Sequence, residues 1–297
     1  MSAVGAASAT ESVAASTLSV LGIHTRVLQT GPSDAEEAVV LLHGGPGSAD
    51  DWENLLPRVG AFARAIAVDL PGFGHADKPA HWGYSSSHFA NFIAVALTKL
   101  GVGRAHLVLS DLAGQGGLTW AAAHPEAFAS AVLLNTGALI GYRWHAIGRL
   151  HRTPLVGVFV AWTARSGLRA TLRLYEGRVL PKEVVDRWWR GYDWGTRRAV
   201  LRFYRSAPPA GLGLIAPELR RLDRPALVVW GARDRFVPAA QAERQRESFP
   251  SAELVLLEDS GHYPHLDDPE RVAEAIVPFL RRQLNGSEKT DDKRRSR

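Results

Sequence analysis

The sequence predicts an α/β fold: an open, mostly parallel β-sheet with helices on both faces. Three observations lead there. Near-continuous apolar runs of strand length recur along the chain, helical stretches separate them, and the rhythm breaks once, over residues 136–214. A strand buried on both faces has no polar side to present, so its sequence loses the alternation of a half-exposed strand. "AVVLLHG" (38–44), "RAIAVDLPG" (64–72), "AHLVLS" (105–110), "ASAVLLN" (129–135), "ALVVWG" (226–231) and "ELVLLE" (253–258) have that character. Helices are expected at about 86–100, 113–124, 239–248 and 268–284, which completes the alternation of strand and helix.

A chain of 297 residues holds one large domain, or one domain with an inserted lobe. The core is expected over 17–135 and 215–284. Residues 136–214 contain no strand-like run, carry five of the nine tryptophans, and read as short helices interrupted by Gly and Pro. An all-helical insertion after a strand of a parallel sheet lies over the carboxyl ends of the strands, where such sheets bind ligands. This stretch is therefore expected to be a helical cap. Residues 1–16 (Ala/Ser/Thr-rich) and 285–297 (polar and charged) are expected to be disordered tails.

No run of 18 uncharged apolar residues occurs, so no membrane span is expected. The first sixteen residues have neither a basic stretch nor an apolar core, so they do not read as a secretory leader. The absence of cysteine removes disulfides, thiolate metal sites and a thiol nucleophile, and is compatible with a cytoplasmic protein. The net charge of +5 is uneven: +10 falls within 136–214, +2 on the last twelve residues, and −7 on the remainder. No nucleic-acid-binding motif accompanies the basic stretch. Its arginines read as a solvated helical face, or as a field that attracts an anionic substrate or partner. Nothing in the sequence indicates an oligomeric state.

Three loops on one sheet edge carry the chemistry. "HGGPGS" (His43 to Ser48) follows the first long apolar run, and its glycines let backbone N–H groups approach a ligand closely. "DLPGFGHADKP" (Asp69 to Pro79) follows the second. "HLVLSDLAGQGGLTWAAAHPE" (His106 to Glu126) runs from strand through a sharp turn directly into a helix. That is the layout of a nucleophile elbow, which needs small residues two and three places after the nucleophile. Asp111 at the apex puts Ala113 and Gly114 there; Ser110 would put Leu112 and Ala113 there, a poorer fit.

With "GARDRFVP" (231–238) and "SGHYPHLDDPERV" (260–272), these motifs resemble the α/β-hydrolase fold over roughly residues 18–284. "DLAGQGGLTWAAAHPE" followed by "LLNTG" resembles its aspartate-nucleophile branch, that of haloalkane dehalogenases and epoxide hydrolases. The resemblance implies a triad of Asp111, Asp234 and His262, in the expected order, each just after an apolar run. It also implies a cap, a small-molecule substrate, and no metal or organic cofactor.

The residue types imply a mechanism. A carboxylate is ionised at neutral pH and needs no base to act as nucleophile. Asp111 attacks an electrophilic carbon and forms an alkyl-enzyme ester. His262, held in tautomer by Asp234, then takes a proton from the water that attacks the ester. Backbone N–H groups of Gly45 and Leu112 bind the oxyanion. His43 is expected to hold the oxyanion turn; His75, Asp77 and His265 are weaker candidates.

What leaves decides the reaction. In the resembling dehalogenases a Trp after the nucleophile binds the halide; here that place is Leu112, which has no side-chain donor. The resembling epoxide hydrolases protonate the leaving alkoxide from cap tyrosines. "RFYRS" (202–206) resembles one such segment and makes Tyr204 the candidate, with Tyr142, Tyr175 and Tyr192 as candidates for a second. Trp144 is a further substrate-facing candidate. The reading from sequence is an epoxide hydrolase-like enzyme. Its alternatives are a haloalkane dehalogenase-like enzyme, a serine-type ester or lactone hydrolase through Ser110, and a non-hydrolytic binding or biosynthetic helper protein.

Overall fold

One sheet of eight strands organises the residues described by the computed structural model, which are 12–208 and 213–295, with side chains to 286. The strands are β1 (Ala14–Val20), β2 (Ile23–Thr30), β3 (Glu37–Leu42), β4 (Arg64–Val68), β5 (Arg104–Ser110), β6 (Phe128–Leu134), β7 (Ala226–Gly231) and β8 (Glu253–Leu257). Their order is β1-β2-β4-β3-β5-β6-β7-β8. From β4 to β8 every pairing is parallel; β2 runs antiparallel to both β1 and β4.

The helices are α1 (Leu56–Gly60), α2 (Ser86–Lys99), α3 (Ala113–Ala123), α4 (Ala146–Arg152), α5 (Val156–Tyr175), α6 (Lys182–Gly191), α7 (Trp194–Ser206), α8 (Ala216–Leu222), α9 (Ala240–Arg244), α10 (Pro264–Asp267) and α11 (Pro269–Arg295). Strand residues alternate between two cores, as a period of two requires. Val40, Leu42, Leu107 and Leu109 pack with Phe89 and Phe92 of α2 and Leu118 of α3. Val39, Leu41 and Val108 pack with Val59 of α1 and Ile276 and Phe279 of α11. Both faces of the central strands are therefore dry, which explains their uninterrupted apolar sequences.

The edges differ from the sequence expectation. β1 and β2 were not expected, because β2 alternates buried and exposed residues and β1 is largely exposed. β1 also begins at Ala14, inside the expected tail, of which residues 1–11 lie outside the described range. β8 is apolar in sequence but is an edge strand, and Leu256 is 41% exposed. The last helix continues to Arg295, past the expected boundary at 284; Glu, Lys and Arg are good helix formers and prolong a helix anchored by its buried first turns.

Between β6 and α8 the chain forms α4 to α7. Their core is Leu168 and Leu172 of α5 with Val184 and Trp188 of α6, packed against Tyr263 and Leu266. α5 is a single helix of 20 residues, not several short ones. Gly167 lies within it in open space, so no packing forces a break there. The segment is tied to the sheet by buried polar contacts. Asp51, 2% exposed, accepts from Trp188 Nε1 and from Arg187, each at 3.0 Å. Arg198 and Arg202 donate to the carbonyls of Lys78 and Trp82, and Arg152 and Arg205 to carbonyls within the segment. Several of the arginines thus form struts between backbone segments. Among the described residues no helix is long and apolar enough to cross a membrane.

Candidate active site

The carboxyl ends of β3, β5, β6 and β7, and the loop after β8, converge on one place. They bring Gly45, Asp111, Asn135, Asp234 and His262 together. Asp111 stands between β5 and α3 at φ +49°, a left-handed conformation that costs a non-glycine residue about 1 kcal/mol or more. Its neighbours hold it there. Thr136 Oγ1 donates to the Asp111 carbonyl at 2.5 Å. Gly114 is required beside it, since a Cβ at that position would lie 2.1 Å from the same Thr136 oxygen.

The two oxygens of the Asp111 carboxylate face different partners. Oδ1 accepts from the Gly45 N–H at 2.7 Å. Oδ2 lies 3.2 Å from Nε2 of His262. The Leu112 N–H lies near this carboxylate and helps to lower it. Burial alone would raise the Asp111 carboxyl, but the hydrogen bond and charge of His262, with the two backbone N–H groups, hold it below its ordinary value. His262 is wholly buried, which alone would lower it. The charges of Asp234 and Asp111 and their hydrogen bonds prevail, and its imidazole sits well above its ordinary value.

Asp234 orients His262 through a 2.7 Å bond between Oδ2 and Nδ1. The same Oδ2 accepts from Asn135 Nδ2 at 2.7 Å, and Oδ1 accepts from the N–H groups of Phe236 and Val237. Asn135 is fully buried at φ +49°, and its Oδ1 accepts from the Gly231 N–H at 2.9 Å. It clamps the end of β6 to the acid loop. The sequence reading quoted "LLNTG" without assigning Asn135 a role; a lone Asn at a strand end was the available signal, since Asn tolerates positive φ.

Two small chambers, of about 50 and about 80 Å³, meet at Asp111, Tyr204 and Phe236. Leu112, Tyr142 and Trp144 line the first. Tyr192 and Tyr263 line the second. Of the five tryptophans between 136 and 214, Trp144 is the one that lines these chambers. Trp162 is 66% exposed, and Trp188 is turned to Asp51. The Leu112 side chain packs over Gly45, where it would meet an added Cβ at 2.5 Å. Ser110 is fully buried at the end of β5 and lines neither chamber.

His145 sets the polarity of the tyrosines. Its Nδ1 accepts from the Gly148 N–H at 3.3 Å and caps α4. A nitrogen that accepts carries no proton, so the proton of the neutral ring is on Nε2. Burial lowers His145 to about 4, which keeps the ring neutral. Nε2 therefore donates to Tyr204 Oη, 3.2 Å away, and the Tyr204 hydroxyl proton is left for the cavity. Burial and the nearby charge of Asp111 raise Tyr204 well above its ordinary value, so it keeps that proton. Tyr142 is different. Its hydroxyl donates to the Phe236 carbonyl at 2.7 Å and accepts from the backbone N–H of His145. Its proton is already engaged.

The remaining sequence candidates are placed as follows. His43 accepts from the Leu70 N–H on Nε2, so its Nδ1–H donates to the Gly44 carbonyl at 2.7 Å, within the glycine-rich turn after β3. Asp77 pairs with His24 on the surface, and His75 is exposed. His265 stacks on Trp52. Tyr175 packs against Phe236 and His145.

Comparison with known proteins agrees with this architecture. The family model of the alpha/beta hydrolase fold matches residues 37–269. A 2-hydroxy-6-oxononadienedioate/2-hydroxy-6-oxononatrienedioate hydrolase of Burkholderia vietnamiensis is 30% identical over 277 residues, covering 88% of this chain and 93% of the relative. A cis-3-alkyl-4-alkyloxetan-2-one decarboxylase of Xanthomonas campestris is 30% identical over 284 residues, with the same coverage. The crystal structure of haloalkane dehalogenase DbeA from Bradyrhizobium elkani superposes with a TM-score of 0.81 at 23% identity, covering 93% of this chain and 100% of that one. The chain belongs to the α/β-hydrolase fold family, and it is a hydrolase-type enzyme of that family.

Proposed function

We propose that this protein hydrolyses small epoxides through a covalent ester on Asp111, beneath a cap formed by α4 to α7. The observation that carries the reading is the division of labour within one carboxylate. Oδ1 is already seated on the Gly45 N–H, where the carbonyl oxygen of an ester must lie if water is to attack it, and Oδ2 is turned toward His262.

In this mechanism Oδ2 attacks a ring carbon, the C–O bond of the epoxide breaks, and the alkoxide takes the Tyr204 proton. The ester removes one of the two negative charges that had held His262 protonated. His262 then gives up its proton, which restores Tyr204 through solvent, and becomes a base. It takes a proton from water as that water attacks Cγ, and negative charge gathers on Oδ1 at Gly45 and Leu112. Collapse expels the diol oxygen, which takes the proton of the new acid, and Asp111 returns as a carboxylate beside protonated His262. The net change is epoxide plus water to diol. Leu112 offers a departing halide no side-chain donor, and buried Ser110 faces neither chamber. Both points favour this reading over dehalogenation and over a serine-type mechanism.

The test is His262→Gln mixed with a small epoxide such as styrene oxide. Intact mass spectrometry should reveal one added substrate mass, on the peptide that contains Asp111. An adduct on Ser110, or turnover that survives Asp111→Ala, refutes the proposal.

A second reading rests on the Xanthomonas relative, an oxetan-2-one decarboxylase by name, whose substrate is thus a four-membered cyclic ester. Oδ2 of Asp111 could open that ring at its alkyl carbon, since the leaving group is a carboxylate and needs no proton. Loss of carbon dioxide would then form an alkene and release Asp111. Alkene production that is indifferent to Tyr204→Phe distinguishes this reaction from epoxide opening.

A further inference from the structure

The residue that follows the triad histidine links three parts of the site. Tyr263 is 3% exposed, and its hydroxyl donates to the Gly45 carbonyl at 2.7 Å. Gly45 in turn donates its N–H to Oδ1 of Asp111. Gly44 and Gly45 are adjacent glycines, whose backbone torsions have the widest freedom of any residue. The N–H and the carbonyl of Gly45 belong to the peptide planes on either side of its Cα. His43 fixes the first plane through the Gly44 carbonyl, and Tyr263 fixes the second.

The backbone of Tyr263 is held from the other side. Glu176, at the end of α5, accepts the His262 N–H on its carbonyl at 3.0 Å and the Tyr263 N–H on its Oε1 at 2.9 Å. Two consecutive N–H groups of the histidine loop therefore end on one residue. Glu176 is 1% exposed, and burial raises its carboxyl well above the ordinary value, which favours its uncharged form. The neighbouring residues of α5 and its end hold the acid loop as well: the Tyr175 carbonyl accepts from the Arg235 N–H, and Gly177 abuts the Arg233 carbonyl.

We infer that Tyr263 and Glu176 are positioning residues through which α5 holds the histidine and the oxyanion donor in one frame. The kinetic part rests on the covalent reading above; the structural part does not. A firm oxyanion donor matters most in the step that places full negative charge on Oδ1, which is ester hydrolysis. It gives no help to ester formation, in which Oδ1 loses charge.

Tyr263→Phe removes one hydroxyl and keeps the ring between Trp188 and His262, so the fold is retained. Hydrogen–deuterium exchange of the peptide spanning 43–48 should rise by about threefold or more in this variant, because one tether of the Gly45 backbone is gone. Rapid-mixing kinetics with styrene oxide should give ester hydrolysis slowed by about tenfold, with ester formation unchanged. Glu176→Ala should produce the same split, and Glu176→Gln, which keeps an acceptor oxygen on Tyr263, should rescue it. Unchanged exchange over 43–48 in Tyr263→Phe overturns the inference, as does equal slowing of both steps. If no ester forms on Asp111 in His262→Gln, the covalent reading fails by itself, and the exchange experiment still decides whether Tyr263 holds Gly45.

Discussion

Nε2 of His262 stands 3.2 Å from Oδ2 of Asp111, and with Asp234 on Nδ1 the two carboxylates favour a protonated imidazole between them. This arrangement predicts a pH dependence of stability. His262 is raised in the folded protein relative to the unfolded chain. Its contribution is complete below the ordinary histidine value, near 6.5, and is lost as pH rises through the higher folded value. Within that window the native state holds a proton that the unfolded state has released, and stability falls by about 1.4 kcal/mol per pH unit. Asp111 is lowered, so its contribution is lost only as pH falls through a value below the usual carboxylate range. Denaturant midpoints measured from neutral to alkaline pH should fall in the parent and flatten in His262→Gln. An identical alkaline slope in both proteins would show that His262 is not protonated in the folded state.

Asn135→Ala tests the clamp beneath the acid. The variant leaves the Gly231 N–H without its acceptor and deprives Asp234 of a donor, all in buried surroundings. Each buried group left unsatisfied costs about 1–3 kcal/mol. The positive φ of Asn135 adds a further cost for alanine. Loss of about 2 kcal/mol or more in chemical denaturation is expected, with a fall in kcat as Asp234 loosens. A change under about 0.5 kcal/mol, the size of an ordinary surface substitution, would remove Asn135 from the site.

The central strands, and the positions of Asp111, Asp234 and His262 just after apolar runs, were legible in the sequence, because both depend on local pattern. β3 to β7 are buried on both faces and read as apolar runs. The small residues after Asp111 marked the sharp turn there, and Gly114 proves to be demanded by Thr136. β1 and β2 were not legible, since their burial is one-sided and their pairing antiparallel. Nor were Asn135, His145 and Tyr263. Their roles come from which neighbour each faces across 96, 59 and 218 residues of chain, and no spacing rule encodes such distances. The arginines between 136 and 214 read as a charged face, yet several end on backbone carbonyls that only the tertiary fold brings near.

Trp188→Phe tests how the helical segment is fastened. The indole N–H donates to buried Asp51, whose carboxyl is raised by burial. Removing that donor leaves Arg187 and the Ser48 N–H as its partners. A loss of about 1–3 kcal/mol is expected, together with faster proteolysis within 146–206. Unaltered stability and protease resistance would mean that apolar packing alone holds α6 in place.

The final prediction separates epoxide opening from halide release, and it turns on Tyr204 and Leu112. A leaving alkoxide needs a proton. Tyr204 keeps its proton at working pH and, with its oxygen held by His145 Nε2–H, can aim it into the cavity. General acid catalysis of this kind is worth about 10²–10⁴ in rate. A leaving halide needs N–H donors instead, and the Leu112 side chain supplies none. A charge-assisted hydrogen bond is worth about 1.5–3 kcal/mol, or one to two powers of ten in rate. Parallel assays with styrene oxide, a matched bromoalkane and an aryl ester should therefore rank the epoxide first. Tyr204→Phe should slow epoxide opening by about a hundredfold or more while leaving ester cleavage nearly intact. His145→Asn should slow the epoxide reaction alone, because Asn keeps the cap on α4 but is too short to reach Tyr204. Bromide release faster than epoxide opening, and indifferent to Tyr204, would assign the site to dehalogenation. Activity confined to the aryl ester would instead return the nucleophile to question.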